Sequence, residues 1–207
     1  MFYFTKSPFW LKKLYPSCLW NYPATEGNKI YLSFDDGPHA AATPFVLDEL
    51  KKYHARATFF CIGKNVIEES LIYKRILSEG HRVANHTFNH MNGWKTESAL
   101  YIENIEKARA QIDSDLFRPP YGRISAFQIR NLQEKLKYKV VMWDVLSGDF
   151  DPAVTGKQAA ERVIKKSRPG SIVVFHDSAK AFSVLQEALP LVLKHFSEKG
   201  FSFETIV

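Results

Sequence analysis

Lys29-Ile30-Tyr31-Leu32-Ser33-Phe34-Asp35-Asp36-Gly37-Pro38 decides how this chain is read. Residues 29–34 are a mostly apolar, β-branched and aromatic run, the pattern of a strand buried on both faces of a parallel sheet. Two carboxylates and a Gly-Pro pair follow at once, and Asp, Gly and Pro are the residues that turn a chain. Outward from this stretch the alternation repeats. Strand-type runs at 57–61, 81–84, 116–117, 140–143, 171–175 and 201–205 are separated by helical periodicity, which predicts crossover helices between parallel strands. Thr43 before Pro44 marks one helix start, and Thr155 with Gln158 three residues on marks another as a capping box. Gly80 and Gly170 mark helix ends, and Pro190 predicts a kink or break in the last helix. Seven such units are short of the roughly 250 residues of a closed eightfold barrel, so the expected fold is α/β, an incomplete barrel with a parallel sheet.

The 207 residues suit one domain, with residues 29–207 as its body and residues 1–28 as an N-terminal segment packed on it. At 45% hydrophobic and 24% charged, with 10 Gly and 10 Pro, the composition excludes collagen-like and disordered chains. Cys18 and Cys61 are too few and too far apart for a disulfide framework or a cysteine-pair zinc site. No apolar stretch reaches the roughly 18 residues a membrane span needs. Of the net charge of +6, half lies in residues 1–30, where Lys6, Lys12, Lys13 and Lys29 face Glu26 alone. That excess is too local, and too free of a stacking-aromatic pattern, to indicate nucleic acid binding. The same lysines interrupt Phe2, Phe4, Phe9, Trp10, Leu11 and Leu14, so no signal peptide is evident and a cytoplasmic chain is expected. Basic residues beside aromatics also suit a peripheral membrane contact through this segment.

Chemistry-bearing residues fall at the strand ends: Asp35 and Asp36 after the first, His86 and His90 after the third, Arg118 after the fourth, Asp144 and Asp149 after the fifth, His176 and Asp177 after the sixth. In a parallel barrel the loops at those ends converge on one mouth. Spacing of four in His86-Thr87-Phe88-Asn89-His90 sets two imidazoles on one side of a helical turn, where an acidic third ligand would complete a metal site. Adjacent carboxylates divide the labour, one binding the ion and the other serving as base. Arg118, in the rigid Arg118-Pro119-Pro120-Tyr121 loop, suits a bidentate hold on a neighbouring carboxylate. His176 suits protonation of a leaving amine, with a carboxylate such as Asp149 holding its tautomer.

Five ordered motifs now resemble the polysaccharide deacetylases of carbohydrate esterase family four: Ser33-Phe34-Asp35-Asp36-Gly37-Pro38, His86 to His90, Arg118 to Tyr121, residues 143–150, and Val174-Phe175-His176. The resemblance implies a distorted (β/α)7 barrel and metal-dependent removal of N-acetyl or O-acetyl groups from a glycan or glycan precursor such as peptidoglycan or chitin. It implies a divalent ion, usually zinc, with cobalt, nickel and manganese as alternatives. By position, Asp35 matches the general base, Asp36, His86 and His90 the metal ligands, Arg118 the residue that positions the base, and His176 the general acid supported by Asp149. Tyr121 matches the residue whose backbone N–H stabilises the oxyanion. Pro119, Tyr121, Phe150 and Val174 fall on the substrate side. The fourth motif departs from the family's Asp-x-x-Asp-Trp, since Leu146 and Phe150 replace its first and last residues, and Val174 replaces a Leu in the fifth. These departures bear on the substrate. Two other functions share the pattern: a sugar-binding pseudoenzyme, and a metal amidohydrolase acting on a small non-sugar amide.

Overall fold

The computed structural model describes residues 3–207; Met1 and Phe2 lie outside the described residues. Eight strands are found among them: β1 Lys29–Asp35, β2 Thr58–Cys61, β3 Arg82–Asn85, β4 Leu116–Phe117, β5 Lys139–Val140, β6 Val145–Leu146, β7 Ile172–His176 and β8 Ser202–Phe203. All named pairings are parallel, in the order β5-β4-β3-β2-β1-β7-β6, with β8 beside the start of β1. The expected strand at 140–143 is realised as two short pieces, β5 on β4 and β6 on β7, with a bend at Asp144 between them. The two ends of the sheet are therefore joined through residues 141–144 without a continuous ladder. This is the distorted, incomplete (β/α)7 barrel, in which residues 139–146 act as one interrupted strand.

Helices α1 Phe9–Leu14, α2 Ala42–Lys52, α3 Gly63–Glu68, α4 Ser70–Ser78, α5 Ser98–Arg109, α6 Ala126–Glu134, α7 Gly156–Lys166 and α8 Phe182–Glu198 cover the sheet. Leu47, Leu50, Val163, Leu185, Leu189 and Val192 meet Ile30, Leu32, Phe34, Phe59 and Val173 in the main core. Thr155 and Gln158 form the expected capping box, and Ser125 with Gln128 forms a second. Thr43 does not cap α2; its hydroxyl donates to Asp177 at 2.5 Å instead. Pro190 lies inside an unbroken α8. Cys18 and Cys61 are both free and buried.

The N-terminal segment lies along the interrupted strand. Leu19 donates to the Val140 carbonyl and accepts from Met142, Thr5 accepts from Leu146, and Ser7 donates to the Asp144 carbonyl. Lys6 and Lys12 both grip the Asp144 carboxylate, at 2.5 and 2.7 Å, and the Ser171 hydroxyl donates to it at 2.6 Å. Asp144 thus stands at the starts of β6 and β7, the end of the sheet away from the mouth, and is a structural anchor. The reading that placed it at the mouth took the strand to end at 143, whereas the pairing with β7 begins at Val145. Two of the segment's lysines are likewise spent internally, while Phe9, Trp10 and Leu14 remain exposed, with Lys13 over the Phe9 ring. No helix among the described residues is long and apolar enough to cross a membrane.

Burial pushes the Asp144 carboxyl up, but the bonds from Lys12, Lys6 and Ser171 outweigh it and hold it below the usual carboxylate range. A carboxyl depressed in the folded state stabilises fully above its unfolded pKa of about 3.9 and loses that contribution as pH falls through the lower folded value. Asp144→Asn is therefore expected to cost about 2 kcal/mol at pH 7, a fall of about 4 to 8 °C in melting midpoint for a chain of this size. The cost should shrink in melts recorded below pH 4. An equal midpoint for both proteins at pH 7 would remove the anchor role.

Candidate active site

At the end of β1 the backbone leaves strand geometry abruptly. Asp35 is the last strand residue, and Asp36 follows in the left-handed region at φ 79°, which Asp tolerates better than most side chains. Successive side chains of a regular strand point to opposite faces, so this break keeps two neighbouring carboxylates at one mouth. The turn is fastened from three sides. Asn65 donates to the Asp36 carbonyl at 2.7 Å, the Gly37 N–H donates to Asp177 at 3.1 Å, and Asp177 takes the Thr43 hydroxyl. A Cβ on Gly37 would sit 2.0 Å from the Asp177 carboxylate, so only glycine allows this approach. Burial, with the nearby Asp36 charge adding to it against the Thr43 bond, pushes the Asp177 carboxyl up to about 8.

Residues 86–90 are a loop rather than the helical turn that the spacing of four suggested, because Thr87 and His90 adopt positive φ of 66° and 57°. Asn85 and Asn104 impose this shape. The Asn85 side chain accepts from the Thr87 N–H, and Asn104 accepts from the N–H groups of Phe88 and Asn89. The loop still aims both imidazoles at Asp36: Oδ1 lies 3.1 Å from His90 Nε2 and 3.6 Å from His86 Nε2. His86 Nδ1 lies 2.8 Å from the Arg118 carbonyl, so Nδ1 carries the proton and Nε2 presents a lone pair to Asp36's side of the mouth.

The donor set fits a divalent ion. One ligand atom from each of Asp36, His86 and His90 lies within 4.8 Å of the others. Asp36 Oδ1 is buried with only the two imidazole Nε2 atoms before it and no well-formed hydrogen bond, a costly state for an anionic oxygen unless a cation takes the place between them. Burial raises the Asp36 carboxyl, yet His86 and His90, helped by His176, hold it well below its ordinary value, so it is an anion ready to ligate.

Arg118 is fully buried and reaches the mouth through the barrel. Its Nη1 donates to Asp35 Oδ1 at 2.6 Å and to Ser33 Oγ at 2.8 Å, Nη2 to the Met142 carbonyl and Nε to the Val141 carbonyl, and its guanidinium lies 3.8 Å over the Phe60 ring. The hold on Asp35 is through one oxygen, not bidentate, because the other donors are spent on the interrupted strand. Asp35 Oδ2 is left for other work. Asp35 and His176 are Cα partners in the β1–β7 ladder, so their side chains rise from the same face.

His176 Nδ1 lies 2.8 Å from Asp149 Oδ1, and Asp149 Oδ2 accepts the His176 N–H at 2.8 Å, while Ser147 donates to Oδ1. Burial pushes the imidazole down, but Asp149, then Asp36 and Asp35, overcome it and raise the pKa to about 9. It is an acid at neutral pH. Phe150 stands edge-on to its ring at 5.1 Å and is backed by Tyr3 at 5.2 Å, whose hydroxyl donates to Asp151.

Pro119 and Val174 are buried beside this mouth, and Tyr121 projects from a 3-10 turn at φ 60° with its ring 4.6 Å from that of His90. The structure thus brings Asp35, Asp36, His86, His90, Arg118, Asp149 and His176 to one strand end and sends Asp144 to the other. Sequence reasoning missed the work of Ser33, Asn65, Asn104 and Tyr3. Ser33 lay inside a quoted motif, whereas nothing in the spacing of the others announces their role.

A family model described as polysaccharide deacetylase matches residues 23–141. A peptidoglycan-N-acetylglucosamine deacetylase of Bacillus cereus is 33% identical over 193 residues, covering 90% of each chain. The peptidoglycan-N-acetylmuramic acid deacetylase PdaA of Bacillus subtilis is 31% identical over 192 residues, covering 88% of this chain and 71% of its own. Among solved structures, the Bc1960 peptidoglycan N-acetylglucosamine deacetylase in complex with a naphthalenyl N-hydroxybenzamide has a TM-score of 0.88 at 30% identity, covering 97% of this chain and 95% of that one.

Proposed function

Because the chain belongs to the polysaccharide deacetylase family and is a hydrolase that removes acetyl groups from glycans, we propose that its substrate is the N-acetyl group of peptidoglycan strands and its resident ion zinc. One observation carries the reading: the mutually close ligand atoms of Asp36, His86 and His90 share a strand end with Asp35 and His176, which are register partners. Two imidazoles and one carboxylate are a catalytic zinc donor set that leaves positions for water and substrate. A divalent ion held there supplies Lewis acidity to the acetyl carbonyl and acidifies water.

The chain's own groups do the rest. Asp35, fixed by Arg118, takes the proton of the attacking water. The Tyr121 backbone N–H donates to the oxyanion that develops on the carbonyl, a contact whose loss typically costs about 3 to 4 kcal/mol of barrier. His176, protonated and oriented by Asp149, gives its Nε2 proton to the departing nitrogen, so one water is consumed and acetate and a free amine leave. Pro119, Val174 and Phe150 wall the acetyl group. Tyr121, whose ring meets that of His90, and Trp94, four residues beyond His90, are large aromatics left exposed, which suits a glycan better than a small amide.

Acetate release from peptidoglycan, N-acetylglucosamine oligomers and acetylated xylan tests the proposal. Release from peptidoglycan that chelation abolishes and zinc restores is expected; release from xylan alone, or undiminished release by metal-free protein, would overturn it.

A further inference from the structure

Two exposed cations stand over aromatic rings on either side of the mouth. Arg123, two residues beyond Tyr121 in the loop after β4, lies 4.3 Å over the Trp94 ring; Lys180, four residues beyond His176 in the loop after β7, lies 5.8 Å from the Phe150 ring centre. Trp94 follows His90 by four residues, which bounds their Cα separation at about 14 Å. In the strand order β4 and β7 are four steps apart, about 19 Å measured along the sheet, so the two loops that carry the cations bracket the ends of β1 and β3, where Asp36 and His86 stand.

The Trp94 platform is rigid. Its Nε1–H donates to the Ile124 carbonyl at 2.9 Å, the Gly93 N–H donates to the Arg123 carbonyl at 3.1 Å, and Gln128 donates to the Gly93 carbonyl. Trp94 is nevertheless 57% exposed, and a large aromatic pinned in place and left open to solvent marks a contact surface. Neither Arg123 nor Lys180 makes an ion pair with any acidic group among the described residues. The carboxylates nearest the centre are committed elsewhere: Asp35 to Arg118, Asp149 to His176, Asp36 to the histidines, and Asp151 takes the Tyr3 hydroxyl. An aromatic ring with a cation over one face keeps its other face and edge for the C–H face of a sugar ring, and the guanidinium or ammonium, held by no acidic group, receives a carboxylate.

We propose that Arg123 with Trp94, and Lys180 with Phe150, form two subsites that select a glycan bearing carboxylates, a strand containing muramic acid, over neutral N-acetylglucosamine oligomers. This rests on the deacetylase reading and narrows its substrate.

The test compares Arg123→Gln, Lys180→Gln, the double variant and Arg123→Lys, all zinc-loaded, on an N-acetylglucosamine tetramer and on a soluble muramic-acid-containing tetrasaccharide. For the acidic substrate each Gln variant should raise KM about fivefold with kcat unchanged, and the double variant about 25-fold. Arg123→Lys should retain part of the preference, raised salt should erode it in the unsubstituted enzyme, and KM for the neutral tetramer should stay within about twofold. Equal losses on both substrates, or no change on either, would overturn the proposal. An unsubstituted enzyme that releases acetate from neither substrate would overturn the deacetylase reading itself, and the subsites with it.

Discussion

Asp35→Asn is expected to keep its ion and to release acetate about 10² to 10⁴ times more slowly, the usual worth of a general base. Asp35 lies outside the group of mutually close ligand atoms, and its Oδ1 is engaged by Arg118. An Asn carbonyl still accepts that bond, so the geometry around Asp36, His86 and His90 has no reason to change. What disappears is the carboxylate that takes a proton. Arg118, fully buried, also loses its counter-charge, so the melting midpoint should fall and rates must be compared per folded molecule. Turnover equal to that of the unsubstituted protein, or loss of the ion with Asp35, would reverse the division of labour between the two aspartates.

Asp149→Asn should move the alkaline limb of the pH profile. Burial alone would push His176 down; the Asp149 charge and bond are the largest opposing influences behind its pKa of about 9. With Asp149 neutralised, burial gains and the pKa falls. A general acid must be protonated, so activity is lost as pH rises through its pKa and the loss should begin at lower pH in the variant. Acetate release should drop about 10²-fold at pH 8 and by less at pH 6. The same linkage acts on stability: a histidine raised in the folded state contributes fully below its unfolded pKa of about 6.5 and loses that contribution as pH rises through about 9. A uniform loss at every pH, with the limb unmoved, would leave Asp149 a packing role only.

Much of this site is legible in the sequence because it is punctuated. Asp35 and His176 end strands whose apolar runs are plain, His86 and Arg118 follow shorter ones, and a parallel sheet brings such ends together. What was not legible is set by contacts between distant residues. β6 is two residues long, too short to carry periodicity, and exists through pairing with β7. Its late start reverses the end of the sheet at which Asp144 stands, and with it that residue's role. The positive φ of Thr87 and His90 is only partly local, through the Asn85 side chain that takes the Thr87 N–H; the rest of the shape comes from Asn104, fourteen positions beyond His90. Arg118 suggested a bidentate clamp, but the interrupted strand exposes two carbonyls inside the barrel that claim its other donors. The N-terminal segment read as a cover at one end is also a partner of that strand, through Leu19 and Thr5.

Acetate release is expected to depend on one ion held by Asp36, His86 and His90. Elemental analysis paired with acetate release, across a zinc titration of the unsubstituted protein and Asp36→Asn, tests it most directly. One ion per chain is expected in the former, with rate proportional to occupancy. In Asp36→Asn occupancy should collapse at limiting zinc and recover in part with excess, because a neutral amide is a weaker ligand than a carboxylate. Full occupancy in Asp36→Asn at limiting zinc, or a rate independent of occupancy in the unsubstituted protein, would contradict it.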